Sequence, residues 1–189
     1  MIMKGREFKS KELTRVCSFY AGEGHFLSTV LTYLIDKVKK GSKVLLFIEE
    51  ETREKLPKAI SNIDPYLKYE NWQEHVVLYP LKAVCRITQE GHFAYHIKSM
   101  IELIGPSCSE EGLIICIQKA NSLDDNLIKQ IEELLPSLMV PVYMVNCYEF
   151  TADKEFMLKT LSQHKYILNT KGINEIGKIY PGINIKVLA

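Results

Sequence analysis

The residues of this chain with the most evident chemical potential are Gly22-Glu23-Gly24-His25. They follow the apolar run Val16-Cys17-Ser18-Phe19-Tyr20 and precede an amphipathic helical pattern. That is the strand–loop–helix setting of a phosphate-binding loop, which reads G-x-x-x-x-G-K-[ST]. Its backbone amides cradle phosphate, its Lys reaches the β/γ-phosphates and its hydroxyl binds Mg²⁺. Here Gly24 keeps the last glycine, but His25 stands at the Lys position, Phe26 at the Ser/Thr position and Phe19 at the first glycine. A scaffold for a nucleotide is kept without the groups that do phosphate chemistry. The pattern points away from an ATPase and toward a non-enzymatic binding or sensing module.

Other candidates cluster at predicted strand and helix ends. His25 opens a helix, where free amides form an anion site and an imidazole gives pH-sensitive contact; its plainer reading is an exposed residue of the first turn. Glu49, Glu50 and Glu51 follow an apolar strand, and the crevice beyond the carboxyl ends of parallel strands binds ligands. For these acids a solvated helix cap is the preferred reading, with Glu49 kept as a ligand contact. Tyr148 and Glu149 end another strand and are expected to line the same pocket. Cys147 beside them is a redox-sensitive thiol or, by default, a core residue. His164 ends the last main helix, where a dipole-favoured cation or a simple cap contact is expected. His92 and His96 share a helical face at the i, i+4 spacing of zinc ligands. Phe93 replaces the glutamate of H-E-x-x-H and no third ligand is evident, so a surface pair, or partial burial near Phe93 and Tyr95, is the preferred reading. No G-x-S-x-G elbow occurs.

The elements that must position these groups alternate. Val16–Tyr20, Val44–Ile48, His75–Tyr79, Leu113–Ile117 and Val140–Asn146 read as strands. Phe26, Leu27, Val30, Leu31, Leu34, Ile35 and Val38 recur at helical spacing, predicting a helix from Gly24 to Lys40 closed by Gly41. Further helices are expected from Glu49 to about Ile60, from about Gly91 to Ile104, from Ser122 as N-cap to Pro136, and from Thr151 to about Gln163. Tyr166–Leu168 reads as a short strand and Ile183–Leu188 as an edge strand. Residues 61–74, with Asp64-Pro65 and Trp72, read as a loop, and 79–90 as irregular. Strands separated by helices require crossovers, hence an α/β fold: a mostly parallel sheet with helices on both faces.

The bulk numbers fit one domain. The chain has 189 residues, 47% hydrophobic and 25% charged, with a net charge of +1. A near-neutral balance gives no global field to attract nucleic acid or an anionic membrane. Five cysteines without a C-x-x-C pair read as reduced thiols of a cytoplasmic protein, with Cys17, Cys116 and Cys147 buried in apolar runs. No signal peptide or transmembrane helix is expected.

Two stretches carry a resemblance. Phe19 through His25, continued by Gly41-Ser42-Lys43-Val44-Leu45-Leu46-Phe47-Ile48-Glu49-Glu50, resembles the opening of the KaiC/RecA-type ATPase core. Val145-Asn146-Cys147-Tyr148-Glu149-Phe150, continued by Leu161 through Leu168, resembles the C-terminal signature of the MEDS domain, the methanogen/methylotroph sensory domain of the DcmR type. The departures are His164-Lys165 in place of His-Pro, and Glu149 as the acid after the tyrosine. The resemblance implies a RecA/KaiC-like three-layer sandwich and signal perception. A small molecule is captured near Gly22, Glu23, Gly24, His25, Glu49, Tyr148, Glu149 and His164, and the signal passes to a partner protein that carries the output. In KaiC-type ATPases an acid after strand 2 activates water, a role that lacks its partners here. Neither a cofactor nor the ligand's identity is implied. A residual nucleotide-binding protein or weak NTPase is the alternative, and a homo-oligomerising pseudo-ATPase subunit a third reading.

Overall fold

A computed structural model describes residues 13–84, 92–104, 107–120, 125–135 and 140–183. The chain is an α/β three-layer sandwich. Its strands are β1 (Leu13–Tyr20), β2 (Lys43–Ile48), β3 (Val76–Pro80), β4 (Leu113–Ile117), β5 (Val142–Glu149), β6 (Tyr166–Asn169) and β7 (Gly172–Glu175). They form one sheet in the order β3-β2-β4-β5-β1-β6-β7, parallel except for the antiparallel β6–β7 pair. The helices are α1 (23–39), α2 (Glu50–Ile63), α3 (Tyr69–Gln73), α4 (Phe93–Ile104), α5 (Asp125–Leu134), α6 (Lys154–Ser162) and α7 (Ile176–Ile179). Among the described residues no helix is long and apolar enough to cross a membrane.

Strand direction decides where each helix goes. The connections from β1 to β2 and from β2 to β3 run toward one edge of the sheet; those from β3 to β4, β4 to β5 and β5 to β6 run toward the other. A right-handed crossover therefore puts α1 and α2 on one face and α4, α5 and α6 on the opposite one. The packing follows. Leu34, Ile35, Leu56 and Ile60 meet Val44, Leu46, Cys116 and Val145 on the first face. Phe93, Ile97, Ile101 and Ile131 meet Leu45, Phe47, Ile115 and Met144 on the second. Central strands β2 and β4 are apolar on both sides because both sides are covered.

α1 is continuous but changes pitch: Leu27–Leu31 is a π turn between α-helical segments. Nearby, the Ser28 hydroxyl donates to the His25 carbonyl at 3.2 Å and the Thr32 hydroxyl to the Ser28 carbonyl at 2.7 Å, side-chain bonds that compete with the backbone ladder.

Several boundaries differ from expectation. β1 starts three residues earlier, at Leu13, and β5 runs on to Glu149. α2 continues to Ile63. The segment expected as a loop contains α3, whose Trp72 is fully buried and stacks on Tyr69 at 6.0 Å. Residues 81–84 are helical, while 85–91 lie outside the described residues. The expected Ser122 cap, the Pro136 stop and residues 184–188 of the expected edge strand also lie outside them. The last strand of the described sheet is β7, which pairs back on β6. Cys17, Cys116 and Cys147 are buried and free.

Candidate functional site

Two places in the sheet are topological switch points, where neighbouring strands send their helices to opposite faces. One lies between β2 and β4, the other between β5 and β1. Crevices open at such points beyond the carboxyl ends of the strands. Because β4 and β5 are adjacent, the two crevices merge into one cleft of about 350 Å³. Tyr20 from β1, Glu49 after β2, Gln118 and Lys119 after β4, and Glu149 at the end of β5 line it, together with Glu23 from the first turn of α1 and Glu51, Thr52 and Lys55 from the first two turns of α2.

The centre is a polar lattice. Gln118 is almost fully buried. Its Oε1 accepts from the Glu49 amide at 3.0 Å, and its Nε2 donates to the Thr52 hydroxyl at 2.9 Å. One side chain just after β4 thus fixes the start of α2, and the Gln118 backbone N–H ties back to the Phe47 carbonyl at 2.9 Å. Lys119 has φ 50, the one non-glycine residue in the left-handed region among the described residues. That conformation costs roughly 1–2 kcal/mol. It accompanies a side chain that bridges two strand ends, with Nζ at 3.0 Å from Glu49 Oε1 and 3.7 Å from Glu149 Oε2. The hydrogen bond to Glu49 is the main reason the ammonium holds its proton more firmly than usual, opposed by desolvation and reinforced by the charges of Glu49 and Glu149. Glu23 and Lys55 form a second ion pair across the mouth between α1 and α2.

Tyr20 forms part of the cleft's floor. It is 2% exposed and packs edge-on against Phe26 at 5.4 Å; its hydroxyl is buried and makes no hydrogen bond of ordinary length and angle among the described residues, although the Lys119 backbone N–H approaches it. Burial pushes its ionisation well above the usual phenol range. Neighbouring Cys147, Glu149 and Glu49 add to this and the Lys119 backbone partly offsets it, so the group stays a neutral O–H.

The glycine loop is arranged for its own closure. Gly22 has φ 78, and its carbonyl accepts from the His25 and Phe26 amides, both at 3.2 Å. His25 Nδ1 accepts from the Ala21 amide at 3.0 Å, which puts the proton of a neutral ring on Nε2. The ring is thereby folded onto its own loop, and His25 does not line the cleft. Gly24 is helical, with open space where a Cβ would stand.

Of the residues singled out from sequence, Glu23, Glu49, Glu51 and Glu149 come together in the cleft and Gly22, Gly24 and His25 flank it. Tyr148 and His164 do not join them. Successive residues of a strand point to opposite faces, so Tyr148 and Glu149 part company. Tyr148 packs behind the sheet against Phe19 (5.8 Å), Phe156 (5.9 Å) and His164 (6.0 Å). His164 is buried there with Nδ1 at 2.8 Å from the Thr160 carbonyl. Burial lowers its proton affinity, opposed by that carbonyl. Cys147 lies on the cleft side of β5 but within the core, its Sγ 3.8 Å from that of Cys116. Burial pushes its thiol well above the usual range, and Cys17 up to about 12, so neither is a ready thiolate.

Tyr20, Thr52, Lys55, Gln118 and Lys119 are additions from the structure. The carboxyl-edge rule covers two of them: Gln118-Lys119 hold the same place after β4 that the acids hold after β2 and β5. Comparison with known proteins returned no matching family model and no matching curated protein.

Proposed function

We propose that this chain is a non-enzymatic sensory or regulatory module, of the MEDS type, that binds a small molecule in the carboxyl-edge cleft and passes the signal to a partner protein. The observation that carries this reading is the merged cleft with the buried Tyr20 hydroxyl on its floor, which has no acceptor for its proton among the described residues. Its volume is at the small end of the roughly 300–1,000 Å³ usual for small-molecule sites. The arrangement of the loop supports binding without turnover: the residue at the phosphate-lysine position caps its own loop, and the entry carries Glu23. An acid at that point opposes a triphosphate.

The test is a thermal-unfolding scan of the full chain against a panel of small metabolites and Mg-ATP. A ligand at 100 times its Kd adds about 2.7 kcal/mol, which for a chain of this size shifts the midpoint by roughly 5–10 °C. The reading expects a shift from a small metabolite that is lost in Tyr20→Phe or in Glu49→Gln/Glu149→Gln. A shift from Mg-ATP alone, with phosphate release, would replace it by the nucleotide reading, whose support is the positive φ of Gly22 before a helix N-terminus.

A further inference from the structure

The cleft has a charge preference that the glycine loop does not foretell. Four carboxylates and two ammonium groups line it. Both ammonium groups are already engaged, Lys55 by Glu23 and Lys119 by Glu49 and Glu149. Glu51 is in turn paired with Lys82 at 3.6 Å, so an entering anion meets one carboxylate in excess and cations already held by carboxylates. An entering cation meets two carboxylates, Glu49 after β2 and Glu149 at the end of β5, bridged by a lysine that is only about one-third exposed. Independently of the carboxylates, the Tyr20 hydroxyl is buried at the cleft, approached by the Lys119 backbone N–H but with no acceptor for its own proton among the described residues. A buried donor without an acceptor is costly, and a polar ligand atom would satisfy it. A metal ion is a poorer fit: among the described residues no three His, Cys, Asp or Glu side chains gather to hold one.

Resting on the reading of this cleft as the ligand site, we propose that it takes a small organic cation. The ligand's primary or secondary ammonium sits between Glu49 and Glu149, and a second polar group reaches the Tyr20 hydroxyl. Lys119 is the internal occupant of that seat. Its ammonium makes the contacts that the ligand's ammonium takes over, so binding exchanges one charge-assisted pair for another and frees the Lys119 side chain. Such an exchange leaves no carboxylate buried without a counter-charge at any stage.

Isothermal titration and thermal-shift scans of the full chain test this with four matched probes: 1,4-diaminobutane, 4-aminobutan-1-ol, 1,4-butanediol and glutarate. The two amines should bind saturably, and the diol and the dicarboxylate should not. Glu49→Gln/Glu149→Gln should weaken amine binding by about tenfold or more. Lys119→Met removes the competitor and should tighten it by about fivefold. Tyr20→Phe should weaken the amino alcohol more than the diamine. Circular dichroism of each variant guards against loss of fold. Suppose neither amine binds while a neutral or anionic molecule does so in a Tyr20-dependent manner. The cation assignment then falls and the ligand site stands. Amine binding unaffected by all three changes would overturn the assignment and the site together. Stabilisation by magnesium or calcium chloride that needs both Glu49 and Glu149, without amine binding, would replace the organic cation by a metal.

Discussion

Gln118→Ala should be among the costliest polar substitutions in this chain, and its size can be worked from the hydrogen bonds. The side chain is 1% exposed and makes two bonds, 3.0 Å from the Glu49 amide and 2.9 Å to the Thr52 hydroxyl. Truncation strands the Glu49 N–H and takes from the Thr52 hydroxyl oxygen, on a residue 2% exposed, the donor it accepts from. An orphaned buried polar group costs about 1–3 kcal/mol. Water entering the opened cleft floor relieves part of this, leaving a loss of about 2–4 kcal/mol, or a fall of roughly 5–15 °C in Tm. Thr52→Val alone should cost about 1–2 kcal/mol because it strands Gln118 Nε2 instead. The two side chains share one bond, so the double variant should fall short of the sum by about 1 kcal/mol. Urea unfolding of the four species of this cycle measures both quantities. A loss below about 0.5 kcal/mol for Gln118→Ala, or strict additivity, would refute the claim that this side chain ties β4 to α2.

Other expectations rest on single contacts. Gly112→Ala should lose about 3 kcal/mol or more, since φ +86 disfavours a side chain and the new Cβ would stand 2.1 Å from the Pro141 carbonyl oxygen; chemical denaturation reads it directly. Asp153→Ala removes the cap whose carboxylate accepts from the Glu155 amide at 2.9 Å and the Phe156 amide at 3.0 Å, and should cost about 1 kcal/mol with α6 exchanging its amide hydrogens faster. His164 has a folded-state proton affinity below its ordinary value of 6.5. The unfolded chain therefore takes up a proton first as pH falls, so stability is full above about 6.5 and declines below it until the depressed folded value is reached. His164→Gln should flatten the drop in urea midpoint between about pH 7.5 and 5.5; an unchanged slope would show that the loss arises elsewhere.

What could be read from the sequence was what local pattern controls. Val44–Ile48 and Leu113–Ile117 announce doubly covered strands because five consecutive apolar residues have no other use between turns. The stripe from Phe26 to Val38 announces α1, though not its π turn, which changes the pitch without breaking the apolar face. The segment around Trp72 is too short and polar to show a period, so α3 is defined by its packing against the first face rather than by local pattern. The site was half legible. Glu49 and Glu149 follow from the carboxyl-edge rule, but nothing local says that β4 lies between β2 and β5, and only that order brings Lys119 between the two acids. Tyr148 and His164 failed as cleft residues for a different reason. Strand parity sends Tyr148 behind the sheet, and that parity is fixed by register against β1, where Tyr148 stands opposite Phe19 and Glu149 opposite Tyr20.

The order of the strands also has a consequence for self-assembly. Among the described residues the sheet ends at β3 and β7. β3 finishes in Pro80, which has no amide hydrogen to offer, and β7 is four residues long and turned against the direction of its six companions. Each margin gives an approaching strand few donors and little length, the same devices by which natural proteins discourage edge-to-edge growth. Copies of this chain that meet in solution would find better purchase on helical surfaces, such as the outward side of α4, where Tyr95 and Leu103 are open to solvent. Growth into a continuous ribbon of sheet is discouraged by the same topology that forms the cleft.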